Sequence, residues 1–144
     1  MAEMTLADLS EKMRDIDFAM LSTRTDNGAI AARPMSNNRD VDYGGDSYFF
    51  SYDSALTISD IAADPQVGLT LTGGKGLLGK PPLFIGIAGR AELIRDKAVF
   101  ARHWQEGFER WFEQGIDTPG LILIKVHAAR VHYWDGEDGG EVKV

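Results

Sequence analysis

Apolar residues return at helical spacing from the start of the chain. Leu6, Leu9, Met13 and Ile16 make one stripe, and Thr5 with Asp8 three residues later supplies the start signal of a capping box. The pattern then changes. Phe18 to Thr23 reads as a strand, Asp26-Asn27-Gly28 as a tight hairpin, and Ala29 to Met35 as the returning strand. A polar loop from Asn37 to Asp46 leads to a third strand, Ser47 to Tyr52. Ser54 is placed to cap a short helix running to about Ala63, ended by Asp64-Pro65 because the residue before proline leaves the helical region. Val67 to Thr72 and Leu83 to Ile94 read as strands flanking the glycine-rich loop Gly73 to Pro82. Asp96 opens a third helix carrying Phe100, Trp104, Phe108 and Trp111 at helical spacing. After the turn Asp117 to Gly120 comes a long strand, Leu121 to Trp134, and a glycine-rich acidic tail, 135–144, expected as a partly flexible end.

Strands joined by hairpin-length links, with few helices between them, exclude a doubly wound parallel sheet, which needs crossover helices. The expectation is a mainly β protein of six antiparallel strands with about three peripheral helices, closed or split as a barrel, in one domain spanning 1–144. The length of 144 residues allows one core, and the hydrophobic fraction of 44% is ordinary for a globular protein. No apolar run approaches the roughly 20 residues that cross a bilayer, and the first residues lack a basic-then-apolar signal pattern. With no cysteine in the sequence, disulfides and thiol chemistry are excluded. A cytoplasmic protein is expected. The net charge of −7 argues against sequence-independent nucleic-acid binding, though a local basic pocket for one phosphate remains compatible with it.

Several residues invite a chemical reading. Gly74 to Lys80 has the glycine and lysine spacing of a phosphate loop, but Pro81-Pro82 stands where the magnesium-binding hydroxyl and a helix should follow, so a hairpin loop is expected. His127 and His132, five apart on one strand, should point to opposite faces, and with His103 they make no metal-binding pattern. Trp104, Phe108, Trp111 and Phe112 read mainly as core, yet Trp111 and Phe112 are adjacent, so one of them should face a partner or ligand. Arg33, between small residues and Pro34, is either an ordinary surface charge or a planar donor for a phosphate or a flavin carbonyl. No general base stands out, and no catalytic residue is assigned.

A set of segments in order carries a resemblance. They are Leu21-Ser22-Thr23 to Gly28, Arg33-Pro34-Met35-Ser36, Tyr48-Phe49-Phe50-Ser51, and Ile58 to Ala63 with Asp64-Pro65-Gln66-Val67. Gly89-Arg90-Ala91-Glu92, Trp104, Trp111-Phe112 and Val131 to Asp135 complete it. Together they resemble the general-stress-protein-26 branch of the pyridoxamine-5'-phosphate-oxidase-like, FMN-binding split-barrel family. The resemblance implies a six-stranded Greek-key split barrel, dimerised so that FMN lies in clefts shared by both subunits. It implies that Arg33, Pro34, Met35 and Ser36 line the flavin, with Phe50 and Ser51 beside it and Ser54 turned toward the phosphate. It further implies that Trp134 approaches the ring from the other subunit, and Trp111 is the aromatic left to face the ligand. Relatives carry a basic residue just after the serine turn, where this chain has Leu56-Thr57. Thr57 is thus expected to offer the phosphate a hydrogen bond without a charge, a loss worth about 1.5–3 kcal/mol that weakens FMN binding unless Lys75 or Lys80 of the glycine-rich loop substitutes. True pyridoxamine-phosphate oxidases also place a basic residue at Asn38 and an arginine in the segment after Trp134, and this chain has neither. The resemblance therefore implies an FMN-binding homodimer, a flavin-dependent oxidoreductase of a small substrate other than pyridoxamine phosphate. Its alternatives are a non-enzymatic flavin-binding stress-response protein and a split-barrel dimer that has lost FMN.

Overall fold

The capping box forms as its spacing predicts. Thr5 Oγ1 accepts the Asp8 amide at 3.1 Å and the Asp8 carboxylate accepts the Thr5 amide at 3.0 Å, opening helix α1 (Leu6–Met13). In the computed structural model, which describes residues 4–37, 42–74 and 77–144, this helix sets Leu9 and Met13 into the main core. Asn38 and Lys75 lie outside the described residues. Strands β1 (Phe18–Arg24) and β2 (Ile30–Ser36) form the expected hairpin, with Gly28 at φ 80° taking the left-handed turn position. Then come β3 (Asp46–Tyr52), α2 (Leu56–Ala63), β4 (Gln66–Thr72), β5 (Phe84–Ile94), α3 (Lys97–His103) and β6 (Leu121–Asp135). No helix among the described residues is long and apolar enough to cross a membrane.

All strand pairs are antiparallel, in the order β2-β1-β4-β5-β6-β3. Alternate residues of β1, β4 and β5 (Ala19 and Leu21, Leu69 and Leu71, Ile85 and Ile87) point inward to the barrel core. The run Leu121 to Ile124 does not alternate; all four side chains are buried. The reason is that β6 and β3 are covered on both sides here. Ile122, Ile124 and Phe49 face the barrel, while Leu121 and Leu123 join a second core with Phe100, Phe112, Tyr48 and Phe50. A strand buried on both faces reads as a continuous apolar run.

Three expectations change. First, α3 stops at His103: Trp104 is extended and Gly107 takes φ 98°, so Phe108–Arg110 and Gly115–Asp117 form separate 3-10 turns. The aromatics still pack, because short turns deliver Phe108 and Phe112 to the same core as Phe100. Second, Asp138–Val142, expected within a loose tail, forms strand β7 on the second half of β6, with Val142 buried. Third, Ala55 rather than Ser54 is the N-cap of α2 and makes no side-chain cap bond, although Asp64-Pro65 ends the helix as expected.

The long β6 also carries a bulge. Gly89 pairs with Ala128 and Ala88 with Arg130, so Ala129 is the extra residue and the alternation shifts by one. His127 and His132 therefore fall on the same outward face, contrary to the expectation from simple alternation. They remain without a third ligand: the described residues contain no cluster of three His, Cys, Asp or Glu suited to a metal.

Candidate active site at the opening of the barrel

Strands β2 and β3 stand at the two ends of the strand order, and among the described residues no pairing joins them. The barrel is split there, and each bordering strand turns one edge of peptide N–H and C=O groups toward the gap. A cavity of about 380 Å³ occupies this opening. One wall is Phe18 with Pro34, Met35 and Ser36; the opposite wall is the β3 segment Tyr48 to Tyr52. Phe108, Trp111 and Phe112 close a third side.

The third side is held by specific bonds. Trp104 Nε1 donates to Glu109 at 3.0 Å, and the other oxygen of that carboxylate accepts the Gly107 amide at 3.0 Å. These bonds keep the Glu109 carboxyl below its ordinary range and fix the turn that carries Phe108. Tyr52 donates its phenol hydrogen to the Trp111 carbonyl at 3.0 Å, tying β3 to the next turn. Phe112 is then buried while Trp111 stays 57% exposed at the rim. Adjacent residues thus divide between core and cavity, as their contiguity required. The Phe50 ring makes edge contacts with Phe100, Trp104 and Phe108 at 5.0–5.9 Å, so it cannot rotate freely in the wall. Behind Tyr48, His103 stacks ring on ring at 3.7 Å. Burial, then Arg102 and Lys125, lower the His103 pKa, which favours the neutral imidazole in that stack.

Of the ten residues the sequence singles out, six meet at this cavity: Pro34, Met35, Ser36, Phe50, Ser51 and Trp111. Four do not. Arg33 turns inward, where Nη1 donates to Thr23 Oγ1 at 2.8 Å and to the Leu21 carbonyl at 3.1 Å, with Nη2 lying 3.7 Å from Asp60. Thr23 donates in turn to Asp60 at 2.9 Å. Thr57 is only 8% exposed, whereas its neighbour Leu56 is 82% exposed; the expected phosphate hydroxyl faces inward. Ser54 lies exposed two residues beyond Tyr52, outside the lining. Trp134 lies on the outer face of the sheet at the far end of β6. Phe18, Tyr48, Phe49, Tyr52, Phe108 and Phe112 also line this cavity and were not expected there from the sequence. Phe18 carried a signal, being a large apolar residue at the outward phase of its strand; the others look like core until the gap is located.

The cavity lining contains no carboxylate, histidine, lysine or arginine among the described residues. Its chemistry is that of a slot for a flat ring, with hydroxyls and open strand edges around it. Fold and cavity together define an antiparallel split β-barrel with an aromatic-lined cleft at its opening. The chain belongs to the pyridoxamine 5'-phosphate oxidase like family, whose model matches residues 5–144.

No curated protein matches the chain. Among solved structures, it is similar to a protein related to general stress protein 26 (pyridoxinephosphate oxidase family) from Clostridium acetobutylicum. The TM-score is 0.81 at 17% identity, over 96% of this chain and 94% of that one. General stress protein 26 from Bacillus anthracis str. Sterne gives a TM-score of 0.70 at 21% identity, over 90% and 92%. A heme binding protein from Mycobacterium smegmatis also gives 0.70, at 20% identity, over 98% of this chain but 60% of that one. At these identities the likeness is one of fold, and a fold by itself does not select a ligand.

Proposed function

We propose that the cavity binds FMN by its ring and that the protein is a flavin-dependent oxidoreductase acting on a small substrate. The observation that carries this reading is the aromatic cavity at the split. Its volume of about 380 Å³ lies within the range of roughly 300–1,000 Å³ typical of ligand sites. A flat, polarisable ring stacks on aromatic and methionine walls, and the pyrimidine end of a flavin needs the donors and acceptors that open strand edges and the Ser36 and Ser51 hydroxyls offer. FMN, when bound, supplies the hydride and electron chemistry; the protein's groups hold and orient the ring and exclude water from it.

In this reading the protein is a homodimer. The outward side chains of β2, β1, β4, β5 and β6 include Pro34, Met20, Phe18, Phe84 and Trp134, with small or hydroxyl residues between them. A two-fold axis along the middle strand of these five, β4, exchanges β6 with β2. It brings each chain's Trp134 to the other's Pro34–Ser36 segment, at the mouth of the cavity.

The reading that FMN has been lost also has an observation in its favour. Arg33 is engaged by Thr23 and Asp60, and Thr57 is buried, so neither stands free for a phosphate. The visible spectrum of the purified protein, with and without added FMN, separates the two. Bound flavin with a shifted, structured visible band supports the proposal. An unperturbed spectrum and unquenched flavin fluorescence at millimolar FMN would leave the empty split barrel as the better reading. Reduction of bound flavin by a nicotinamide donor, followed by reoxidation, distinguishes an enzyme from a carrier.

A further inference from the structure

Trp134 does not stand up from the sheet. It is cross-strand to Phe84, yet its indole leans diagonally over the next outward position of β5, which is Gly86. A Cβ built on Gly86 would lie 3.3 Å from Cζ3 and 3.4 Å from Cη2 of the indole. The six-membered ring therefore lies tight against that position: the indole would have to give by a few tenths of an ångström for a methyl and by more for a larger side chain. His132, the strand partner of Gly86, has its ring 6.2 Å from the indole and inclined by 32°, closing the slot from β6. On the other side, Gly139 of β7 is paired with Trp134, and a Cβ built on it would lie 3.8 Å from Cδ1. The indole is thus bedded on one face, while 53% of the residue's surface remains open on the other.

Nothing in the barrel core requires a glycine at residue 86: its φ is not in the left-handed region, and its side faces outward. A β-strand glycine weakens the strand unless something packs across it. Here what packs across it is the one aromatic that the proposed two-fold carries to the partner's cavity. We infer that Gly86 is a positioning residue: the missing side chain forms the bed that holds the Trp134 indole flat, so that its open face covers the flavin ring in the partner subunit. This rests on the flavin and dimer reading above. In its orientation the indole is prepared before the ligand arrives, which lowers the ordering cost of binding.

The experiment uses the full chain and the variants Gly86→Val, Gly86→Ala, Trp134→Phe and Gly86→Val/Trp134→Phe. The near-ultraviolet circular dichroism of the flavin-free protein, as a difference against Trp134→Phe, isolates the band of the bedded indole. That band should vanish in Gly86→Val and shrink in Gly86→Ala. FMN titration followed by flavin fluorescence should show Gly86→Val weakening binding by about fivefold or more, but by less than about twofold when Trp134 is already Phe, because Gly86 acts through the indole. Retention of the band in Gly86→Val, or an equal loss of affinity in both backgrounds, would overturn the inference. Should Gly86→Val fail to fold, Gly86→Ala carries the same comparison with a smaller shift. Absence of FMN binding by the unmodified protein would sink the flavin reading and the ligand half of this inference. The dichroism of the flavin-free protein still shows whether the bed exists, so the two failures are told apart.

Discussion

Arg33 is held where three elements meet. Its guanidinium bonds to Thr23 and Leu21 of β1 and approaches Asp60 of α2, and its side chain is 22% exposed. Thr23, among the most buried polar residues described, gives its own hydroxyl hydrogen to Asp60. The group therefore ties the free edge strand β2 to the barrel beside the cavity wall it contributes. Arg33→Ala would strip donors from a buried hydroxyl and leave the Asp60 carboxylate short of a cation. We expect a loss of about 1–3 kcal/mol in unfolding free energy, with Arg33→Lys recovering only part because an ammonium cannot reproduce the planar fork. Urea unfolding measures it; a change within about 0.5 kcal/mol, as for an ordinary surface arginine, would contradict the strut. The sequence showed an arginine between small residues on a strand. It could not show that Thr23 and Asp60, 10 and 27 positions away, would meet it, since that depends on how α2 docks against β1.

The elements obey their local signals where those signals are short-range. The capping box of α1, the Asp-Asn-Gly hairpin and the proline stop of α2 all rest on contacts within a few residues. Helix α3 departs from its pattern because Gly107 adopts a positive φ and the aromatic core accepts 3-10 turns as readily as a continuous helix. The bulge in β6 is the clearest case of an element shaped by its neighbour. A Cβ on Gly89 would meet the His127 carbonyl oxygen at 2.5 Å, so only glycine lets the two backbones approach at this step. Gly89→Ala must push β5 and β6 apart and should cost about 1–3 kcal/mol. Gly28→Ala would be a poor control, being strained by its φ, whereas Gly44→Ala meets nothing within 4 Å and should be mild. Thermal unfolding of the two variants compares them; equal melting temperatures would show that the bulge tolerates a side chain.

At the scale of the whole molecule, the outward face around Met20 is expected to be the dimer contact. Met20 lies between Pro34 and Thr70 on that face and is 39% exposed. Met20→Asp would bury an unpaired charge against the partner's β5, which the two-fold along β4 sets over β1, so sedimentation should move from twice the chain mass to the monomer while far-ultraviolet dichroism is kept. A dimer that survives Met20→Asp would place the interface elsewhere. The mainly antiparallel β class and most strand positions were legible from alternation, turn residues and proline, because those depend on the backbone's own geometry over a few residues. The resemblance added the split barrel and six of the residues that now line the cavity. What the chain alone could not reveal was every feature set by long-range register. It is the pairing order that leaves β2 and β3 unjoined and opens the cavity. The Ala129 bulge puts His127 and His132 on one face, and the docking of α2 turns Thr57 inward and Leu56 outward. A one-residue shift exchanges the two faces of a strand, and only the packed neighbours hold such a shift in place.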